Sequence, residues 1–446
     1  MTDLAALSAD YSADLLAFDP FGATAWGLPG HDDAVPDPSR AADEAHLSRL
    51  DGFRARLDAL PPSAEDPVTH DVLDRLLADR RAELATGLGV GAFEVGVTAT
   101  IAGLQNAVFA VVPTVRPRGE ADFAAYLRRL GALGGYFDAL GARYAQAARE
   151  GRHSTATGVR QAVEQLRAYL ASPPAEDPFL RPAGDDPDRL DRVATAVART
   201  VRPAVARFTG TLAGLPGRDD DRVGLCHVPG GEAAYAVATR SHTSTSLSPE
   251  EIHRTGLDQL ERLRDEFATL GERVFGTHDV AEVLRRLRED VSLRFETAAQ
   301  IVDTATTALR RAEAALPGWF HPYEIAPCEV EPMHAVEAEN STLAYYAPPA
   351  EDGSRPGAHV VNTHAPHSRP RYEYEALSFH ESVPGHHLQI ALAQSLDDLP
   401  AFRRFTYLTA HAEGWGLYAE RLADEMGLYT DDLSRMGMLS FDAWRA

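Results

Sequence analysis

The sequence predicts a mainly α-helical protein with a small antiparallel β-sheet beside its C-terminal helices. Most of the first 320 residues repeat apolar side chains at helical spacing, as in 43–60 and 122–150. From 323 to 364 the pattern changes to short runs of β-branched and aromatic residues bounded by proline and glycine, which is typical of strands. Two more helices are predicted afterwards, one containing "SFHESVPGHHLQ" and one over 403–427.

Local signals mark where elements and regions begin. Ser248, Pro249 and Glu251 combine a capping box with proline at the first helical position, so a helix is predicted to start here. Residues 172–188 are rich in proline, aspartate and glycine and indicate a boundary. The chain is long enough for two or three subdomains. We predict an N-terminal helical region (1–172), a central helical region (189–322) and a catalytic region with the sheet and metal-binding helices (323–446).

The composition excludes several classes of protein. The 66 acidic residues outnumber the 43 basic ones, and the net charge of −23 argues against nucleic-acid binding. The absence of lysine excludes Schiff-base chemistry, a P-loop and a pyridoxal-phosphate anchor. Cys226 and Cys328 provide neither a disulfide framework nor a cysteine-based zinc site. The N-terminus does not resemble a secretory signal and no stretch is apolar enough to span a membrane, so a cytoplasmic location is predicted.

The sequence "SFHESVPGHHLQ" contains a candidate metal site. A His-Glu pair followed by a second histidine on the same helix face is typical of zinc hydrolases. His380 and His386 are six residues apart, which in a regular helix separates them by about 9 Å along the axis and about 120° in phase. Pro384 and Gly385 lie between them and favour a helix bulge, which would bring His386 to the ion. Glu381 is then predicted to act as the general base.

A catalytic zinc site usually has three protein ligands and one open position. Glu413 in "HAEGWGLYAERL" is the best candidate for the third ligand, on the next predicted helix. Glu420 follows two turns later on the same face, where it either orients a ligand or pairs with Arg421 at the surface. His387 is in phase with His380 but about 10.5 Å away along a regular helix, which predicts a contact with a ligand or with substrate instead of the ion.

The sequences "HESVPGHHLQ" and "EGWGLYAERLADEMGLY" together resemble the bacterial family called domain of unknown function 885. "RTGLDQLERLRDEF", "GAHVVNTHAP" and "SRMGMLSFDAWRA" are similar to it as well, so the resemblance covers at least 245–446. This family is related to the gluzincin metallopeptidases, which hold zinc with two histidines and one glutamate. The resemblance implies a gluzincin-like architecture with His380, His386 and Glu413 on the metal and Glu381 as base.

The resemblance also sets expectations about the rest of the site. Similar proteins continue beyond the position where this sequence ends, so a C-terminal segment of the family is expected to be absent, and with it a group that stabilises the oxyanion. In gluzincin-like folds an edge strand binds peptide substrate, which makes Asn362 and His364 candidates for substrate contact. Tyr345, Tyr346 and Tyr418 are candidates to line the cleft or to donate to an oxyanion, although packing with a satisfied hydroxyl is the favoured interpretation of each tyrosine.

The predicted function is a zinc-dependent hydrolase, a peptidase or other amidase that acts on short peptides, in which Glu381 activates a metal-bound water. Zinc is the expected cofactor, and another divalent metal is compatible with the same ligands. The alternative is a helical relative that binds a metal or a ligand without turnover, which the early C-terminus favours. We expect no nucleic-acid or membrane partner, and the sequence leaves the oligomeric state open.

Overall fold

The computed structural model describes residues 3–60, 66–87, 103–333, 338–339 and 341–446. These residues are mainly helical and include one small sheet, as the sequence predicts. No helix among them is long and apolar enough to cross a membrane.

The helices have the following bounds in chain order: α1 Asp3–Phe18, α2 Pro20–Ala25, α3 Arg40–Asp58, α4 Pro67–Thr86, α5 Leu104–Val111, α6 Glu120–Arg149, α7 Ala156–Ala171, α8 Pro187–Ala196, α9 Arg202–Ala213, α10 Gly231–Thr243, α11 Pro249–Phe275, α12 Val280–Glu289, α13 Ala298–Ala315, α14 Tyr374–Glu381, α15 His386–Gln394, α16 Ala401–Phe405, α17 Thr409–Glu425 and α18 Asp432–Arg445. A π turn joins α8 to α9 at Val197–Val201.

The chain forms two compact units. The first contains Met1–Ser241, Ala350–Ser354 and Asp398–Arg403, and the second contains His242–Pro349, Arg355–Asp397 and Arg404–Ala446. The boundary after Ser241 falls inside the central region that the sequence predicts, and the division into three regions stays a prediction.

The first unit is built around α6, which packs against α9, while α9 also packs against α7. The three helices place aromatic side chains such as Phe123, Phe137 and Phe208 in one fully buried cluster. A second cluster joins α1, α3 and α4 through leucines at helical spacing, including Leu50 and Leu73. The amphipathic pattern of these helices therefore determines which of their faces is buried.

Arg129 of α6 is a fully buried cation in this unit, with 0% exposure. Its Nε donates to Ala34 O at 2.8 Å, and its Nη1 donates to Thr24 Oγ1 at 2.8 Å. Its Nη2 donates to the carbonyls of Pro20 and His31. A buried guanidinium is tolerated when its donors are satisfied, so Arg129 fixes the segment that follows α2.

Replacing Arg129 with methionine is expected to lower the free energy of unfolding by about 3 kcal/mol, because buried backbone carbonyls lose their donor. The control is Arg128→Met at the neighbouring position, where the arginine is exposed and pairs with Asp33 at 3.2 Å on the surface. That change is expected to cost less than about 1 kcal/mol. Urea denaturation followed by circular dichroism measures both, and equal midpoints for the two variants would contradict the role of Arg129.

The second unit contains a three-stranded sheet formed by β1 (Cys328–Pro332), β2 (Ala344–Ala347) and β3 (Gly357–Val361). The strand order is β1-β3-β2, with β3 antiparallel to β2 and parallel to β1. The prediction of an antiparallel sheet is therefore wrong for one of the two strand pairs. The residue pattern of a strand encodes which side chains are buried but not the direction of its neighbour, which depends on the path of the chain.

The central strand β3 is buried at every residue and contacts α13 and α15. Apolar residues of α13, α14 and α15 form a common core that includes Leu309, Phe379 and Leu388. The N-terminal end of α14 is anchored by Glu375, whose carboxylate accepts from Arg311 Nη2 at 2.7 Å and from Thr430 N at 3.0 Å. These contacts hold α14 in a fixed position.

Two local predictions have different outcomes in this unit. The capping box is present at the start of α11, where Ser248 accepts from the backbone of Glu251 and the Glu251 side chain accepts from Ser248 N. The single helix predicted over 403–427 is wrong, because α16 ends at Phe405 and α17 begins at Thr409. Its apolar pattern does not reveal the three non-helical residues in between.

Candidate metal centre

The helix that carries the candidate ligands is interrupted. It ends as α14 at Glu381 and resumes as α15 at His386, with four non-helical residues in between and a cis peptide bond between Val383 and Pro384. The sequence predicts a bulge here, whereas the structure has a complete break. Because α14 and α15 are separate helices, they need not share one axis.

Two features stabilise this break. The indole Nε1 of Trp415 on α17 donates to the carbonyl of Pro384 at 2.8 Å, which satisfies this carbonyl, and to that of Gly385 at 3.2 Å, which also accepts from Gln389 N. A Cβ at Gly385 would lie 1.9 Å from the carbonyl oxygen of His380, so only glycine fits. Trp415 and Gly385 thus connect the break to α17.

The break brings the three proposed ligands together. One donor atom from each of His380, His386 and Glu413 lies within 4.8 Å of the others. Glu413 Oε2 is 3.5 Å from His380 Nε2 and 3.9 Å from His386 Nε2. The two imidazole rings are nearly perpendicular, at 85°, with centroids 4.6 Å apart. Two imidazoles and one carboxylate form a donor set that suits zinc.

Helix α17 approaches the first histidine very closely at Gly416. A Cβ at this position would lie 2.6 Å from His380 Cε1, whereas a Cβ at Gly414 would have no atom within 4 Å. Of the two glycines that flank Trp415, only Gly416 therefore lies against a neighbouring side chain. The absence of a side chain at Gly416 therefore makes room for the His380 ring between α14 and α17.

Behind the site, Glu420 of α17 is fully buried and orients His380. Its Oε1 accepts a hydrogen bond from His380 Nδ1 at 2.8 Å, which leaves Nε2 as the nitrogen that faces Glu413. Arg445 Nη1 lies 3.1 Å from the same Glu420 oxygen, and Arg445 Nη2 makes a longer contact of 3.4 Å with His380 Nδ1. A carboxylate that holds the distal nitrogen of a histidine is the usual partner of a metal ligand.

The electrostatics of the site favour a positive charge between the ligands. Burial disfavours the protonated form of His380, but contacts with Glu413 and Glu420 outweigh this effect and raise its pKa to about 9. The contact with His380 lowers the pKa of Glu413 to about 2. Burial, followed by the charge on His380, lowers the pKa of His386 to about 4. A cation at the same place would have the same carboxylates as partners.

Glu381 lies next to the first histidine and retains 9% exposure. Burial raises the pKa of its carboxyl to about 7, with Glu413 and Glu420 acting in the same direction. Its side chain has no hydrogen-bond partner among the residues that the structure describes. The carboxyl is therefore available for a water molecule or a substrate group.

His387 is placed away from the ligands. Its Nε2 donates to the carbonyl of Ala326 at 3.0 Å, and its Nδ1 lies 3.0 Å from the hydroxyl of Tyr346, from which it accepts. A Cβ on Gly357 would lie 2.6 Å from that ring, so β3 packs directly against it. His387 and Tyr346 thus connect α15 to the sheet and have no ring nitrogen or hydroxyl left for an ion.

The other candidates also lie outside the ligand cluster. Asn362 is fully buried and donates to the carbonyls of Ala338 and Thr342, and its Oδ1 accepts from His364 N. The His364 side chain is exposed, and it is not among the ligands. Asn362 stabilises the turn that follows β3. Because β3 is the central strand of the sheet, Asn362 and His364 do not follow an edge strand, contrary to the expectation from the sequence.

Of the remaining tyrosines, Tyr345 packs against the small apolar cluster of the sheet. Tyr418 is half exposed, and its ring contacts that of Trp415 at 5.7 Å between centroids. Both positions agree with the packing role that the sequence leaves open.

Two residues of the site are not suggested by the sequence. Tyr407, between α16 and α17, donates from its hydroxyl to Glu413 Oε1 at 2.5 Å, and burial followed by this contact raises its pKa well above the usual value. Arg445, at the end of α18, contacts Glu420. Tyr407 lies outside the quoted motifs, whereas Arg445 lies in "SRMGMLSFDAWRA", which gives no indication of its contact with Glu420.

The fold and this site define a mainly helical protein with a candidate centre of two histidines and one glutamate. Residues 20–446 match the family described as "Bacterial protein of unknown function (DUF885)", and the chain belongs to that family. The resemblance seen in the sequence is thereby confirmed, over a wider range than the motifs cover. No curated protein matches the chain.

Solved structures that resemble the chain include two bacterial proteins. One is a provisionally described lipoprotein from Colwellia psychrerythraea, with a TM-score of 0.88 and 21% identity, over 100% of this chain and 82% of that one. The other is a provisionally described lipoprotein of unknown function from Shewanella oneidensis, with a TM-score of 0.62 and 15% identity, over 100% of this chain and 81% of that one. At these identities the likeness shows the fold.

Gly416→Ala is expected to weaken zinc binding at least tenfold, because the added methyl group displaces the His380 ring. Gly414→Ala is the matched control two residues away on α17, where the methyl group meets open space. Alanine is the better helix former at both positions, so helix stability does not explain a difference. Isothermal titration calorimetry measures the affinity of each variant for Zn²⁺, and equal affinities in the two variants would contradict this role of Gly416.

Proposed function

We propose that this protein is a zinc-dependent hydrolase that cleaves peptide or other amide bonds in small substrates. The observation that carries the proposal is the convergence of His380, His386 and Glu413 beside the unpaired carboxyl of Glu381. These residues come from three helices, α14, α15 and α17, and the break between α14 and α15 is needed to bring them together.

The donor set supports a catalytic site in preference to a structural one. Structural zinc sites usually have four protein ligands, whereas catalytic sites have three and keep one position open. The side chains of His380 and His386 are 3% and 7% exposed, but that of Glu413 is 47% exposed. The histidines are therefore held inside the unit, and the Glu413 side is open to solvent and to a substrate.

Zinc held by these residues would supply Lewis-acid chemistry, which polarises a carbonyl group and makes water more acidic. The carboxylate of Glu381 takes a proton from the attacking water and returns it to the leaving nitrogen. Glu420 holds the Nδ1–H of His380, so the imidazole keeps Nε2 directed towards the ligands.

The substrate class and the relation to gluzincins are parts of this proposal that rest on the resemblance of "HESVPGHHLQ" and "EGWGLYAERL". The alternative is a relative that binds metal without turnover. The free carboxyl of Glu381 favours the hydrolase, since a site that only binds metal has no need for an unpaired acid beside a ligand. The cytoplasmic location and the lack of nucleic-acid and membrane partners stay predictions from the sequence.

Zinc is expected to stabilise the protein, because a ligand that binds only the folded state adds to the free energy of unfolding. The gain is about 2.7 kcal/mol at a free concentration 100 times the dissociation constant. Differential scanning calorimetry of chelator-treated protein, with and without Zn²⁺, measures the rise in melting temperature. His380→Ala is expected to abolish the rise. His364→Ala, which alters an exposed histidine outside the cluster, is expected to retain it. If zinc does not raise the melting temperature of the wild-type protein, the proposed metal site is excluded.

Glu381→Gln is expected to lower kcat for hydrolysis of short peptides at least 100-fold while the zinc content is unchanged, because the amide cannot accept the proton. Cleavage of a peptide library followed by mass spectrometry provides the assay, and elemental analysis measures the metal. Glu425→Gln is the control, since Glu425 is an exposed carboxylate at the other end of α17. Zinc-loaded wild-type protein without any cleavage that depends on Glu381 would favour the alternative of binding without turnover.

A further inference from the structure

The two carboxylate oxygens of Glu413 have different partners. Oε2 faces the Nε2 atoms of His380 and His386, at 3.5 Å and 3.9 Å. Oε1 accepts the hydrogen bond from the Tyr407 hydroxyl at 2.5 Å. A tyrosine hydroxyl is protonated at neutral pH, so Tyr407 is the donor and Glu413 the acceptor.

The assignment of the two oxygens matters for an ion at this place. A carboxylate can bind a cation through one oxygen or through both. A catalytic zinc site needs an open position, which a second carboxylate oxygen would occupy. Residues that hydrogen-bond to a ligand from outside fix its orientation, and their loss typically weakens metal binding 10- to 100-fold.

We infer that Tyr407 is a positioning residue that restricts Glu413 to binding the ion through a single oxygen. The inference rests on the proposed metal site and deepens it. Tyr407, in the segment between α16 and α17, thereby keeps the fourth coordination position of the ion free for water and substrate.

The surroundings of Tyr407 distinguish this role from ordinary packing. The residue is 46% exposed and does not belong to an apolar core cluster of the described chain. Its ring lies 6.5 Å from the ring of His386, so the tyrosine sits at the solvent-facing side of the ligands. A change from tyrosine to phenylalanine keeps this ring and removes only the hydroxyl.

The test compares Tyr407→Phe with Tyr418→Phe in the full-length chain. Tyr418 is a matched control, because it is 49% exposed, lies on α17 and has no hydrogen-bond partner for its hydroxyl in the described ranges. Zinc affinity is measured by competition with a chromophoric chelator. The coordination number is read from the visible absorption of the Co²⁺-substituted protein, whose bands weaken as a second oxygen joins the ion.

Tyr407→Phe is expected to bind zinc 10- to 100-fold more weakly than wild type and to show weaker cobalt bands, while Tyr418→Phe matches wild type in both. A zinc affinity of Tyr407→Phe within threefold of wild type, or an unchanged cobalt spectrum, would overturn the inference and leave the metal site intact. Wild-type protein that binds neither ion would instead overturn the proposed function.

Discussion

The candidate site depends on one constraint, the interruption of a helix between Glu381 and His386. A continuous helix would hold its two histidines apart, about 9 Å along its axis. The complete break costs backbone hydrogen bonds, and the indole of Trp415 compensates by donating to the carbonyl of Pro384. The same tryptophan belongs to the helix that carries Glu413, so the contact that stabilises the break also brings the third ligand to it.

The site also contains buried ionisable side chains, which need partners. Glu420 has no exposure and would be unstable as an isolated carboxylate, since burial raises its pKa. His380 and Arg445 compensate by contacting the same oxygen. A series of polar contacts therefore links Arg445 to Glu420, Glu420 to His380 and His380 to Glu413. Such a series fixes both the orientation and the tautomer of the histidine, which supports a metal-binding role over a purely structural one.

The site combines rigid and accessible parts. The histidines belong to helices whose other faces lie in the apolar core and against the sheet, and α14 is further anchored through Glu375. Glu413 and Tyr407 lie at the surface, where a substrate can approach. Close packing fixes the orientation of the two histidines. The exposed carboxylate of Glu413 is less restricted, and the hydrogen bond from Tyr407 holds its Oε1. In the proposed metal centre, the open position would therefore depend on Tyr407.

The sequence by itself predicts the mainly helical fold, the cap at Ser248, the family and the candidate ligands, because each follows from local spacing or from a short motif. It also identifies the distortion near Pro384. Only the tertiary structure decides that β1 and β3 are parallel, that His387 faces the sheet and that Tyr407 reaches Glu413. These features depend on contacts between segments distant in the chain or across a loop, and on the space at Gly416. Hydrophobic periodicity carries no information about such contacts, since it records which face is buried and not what covers it.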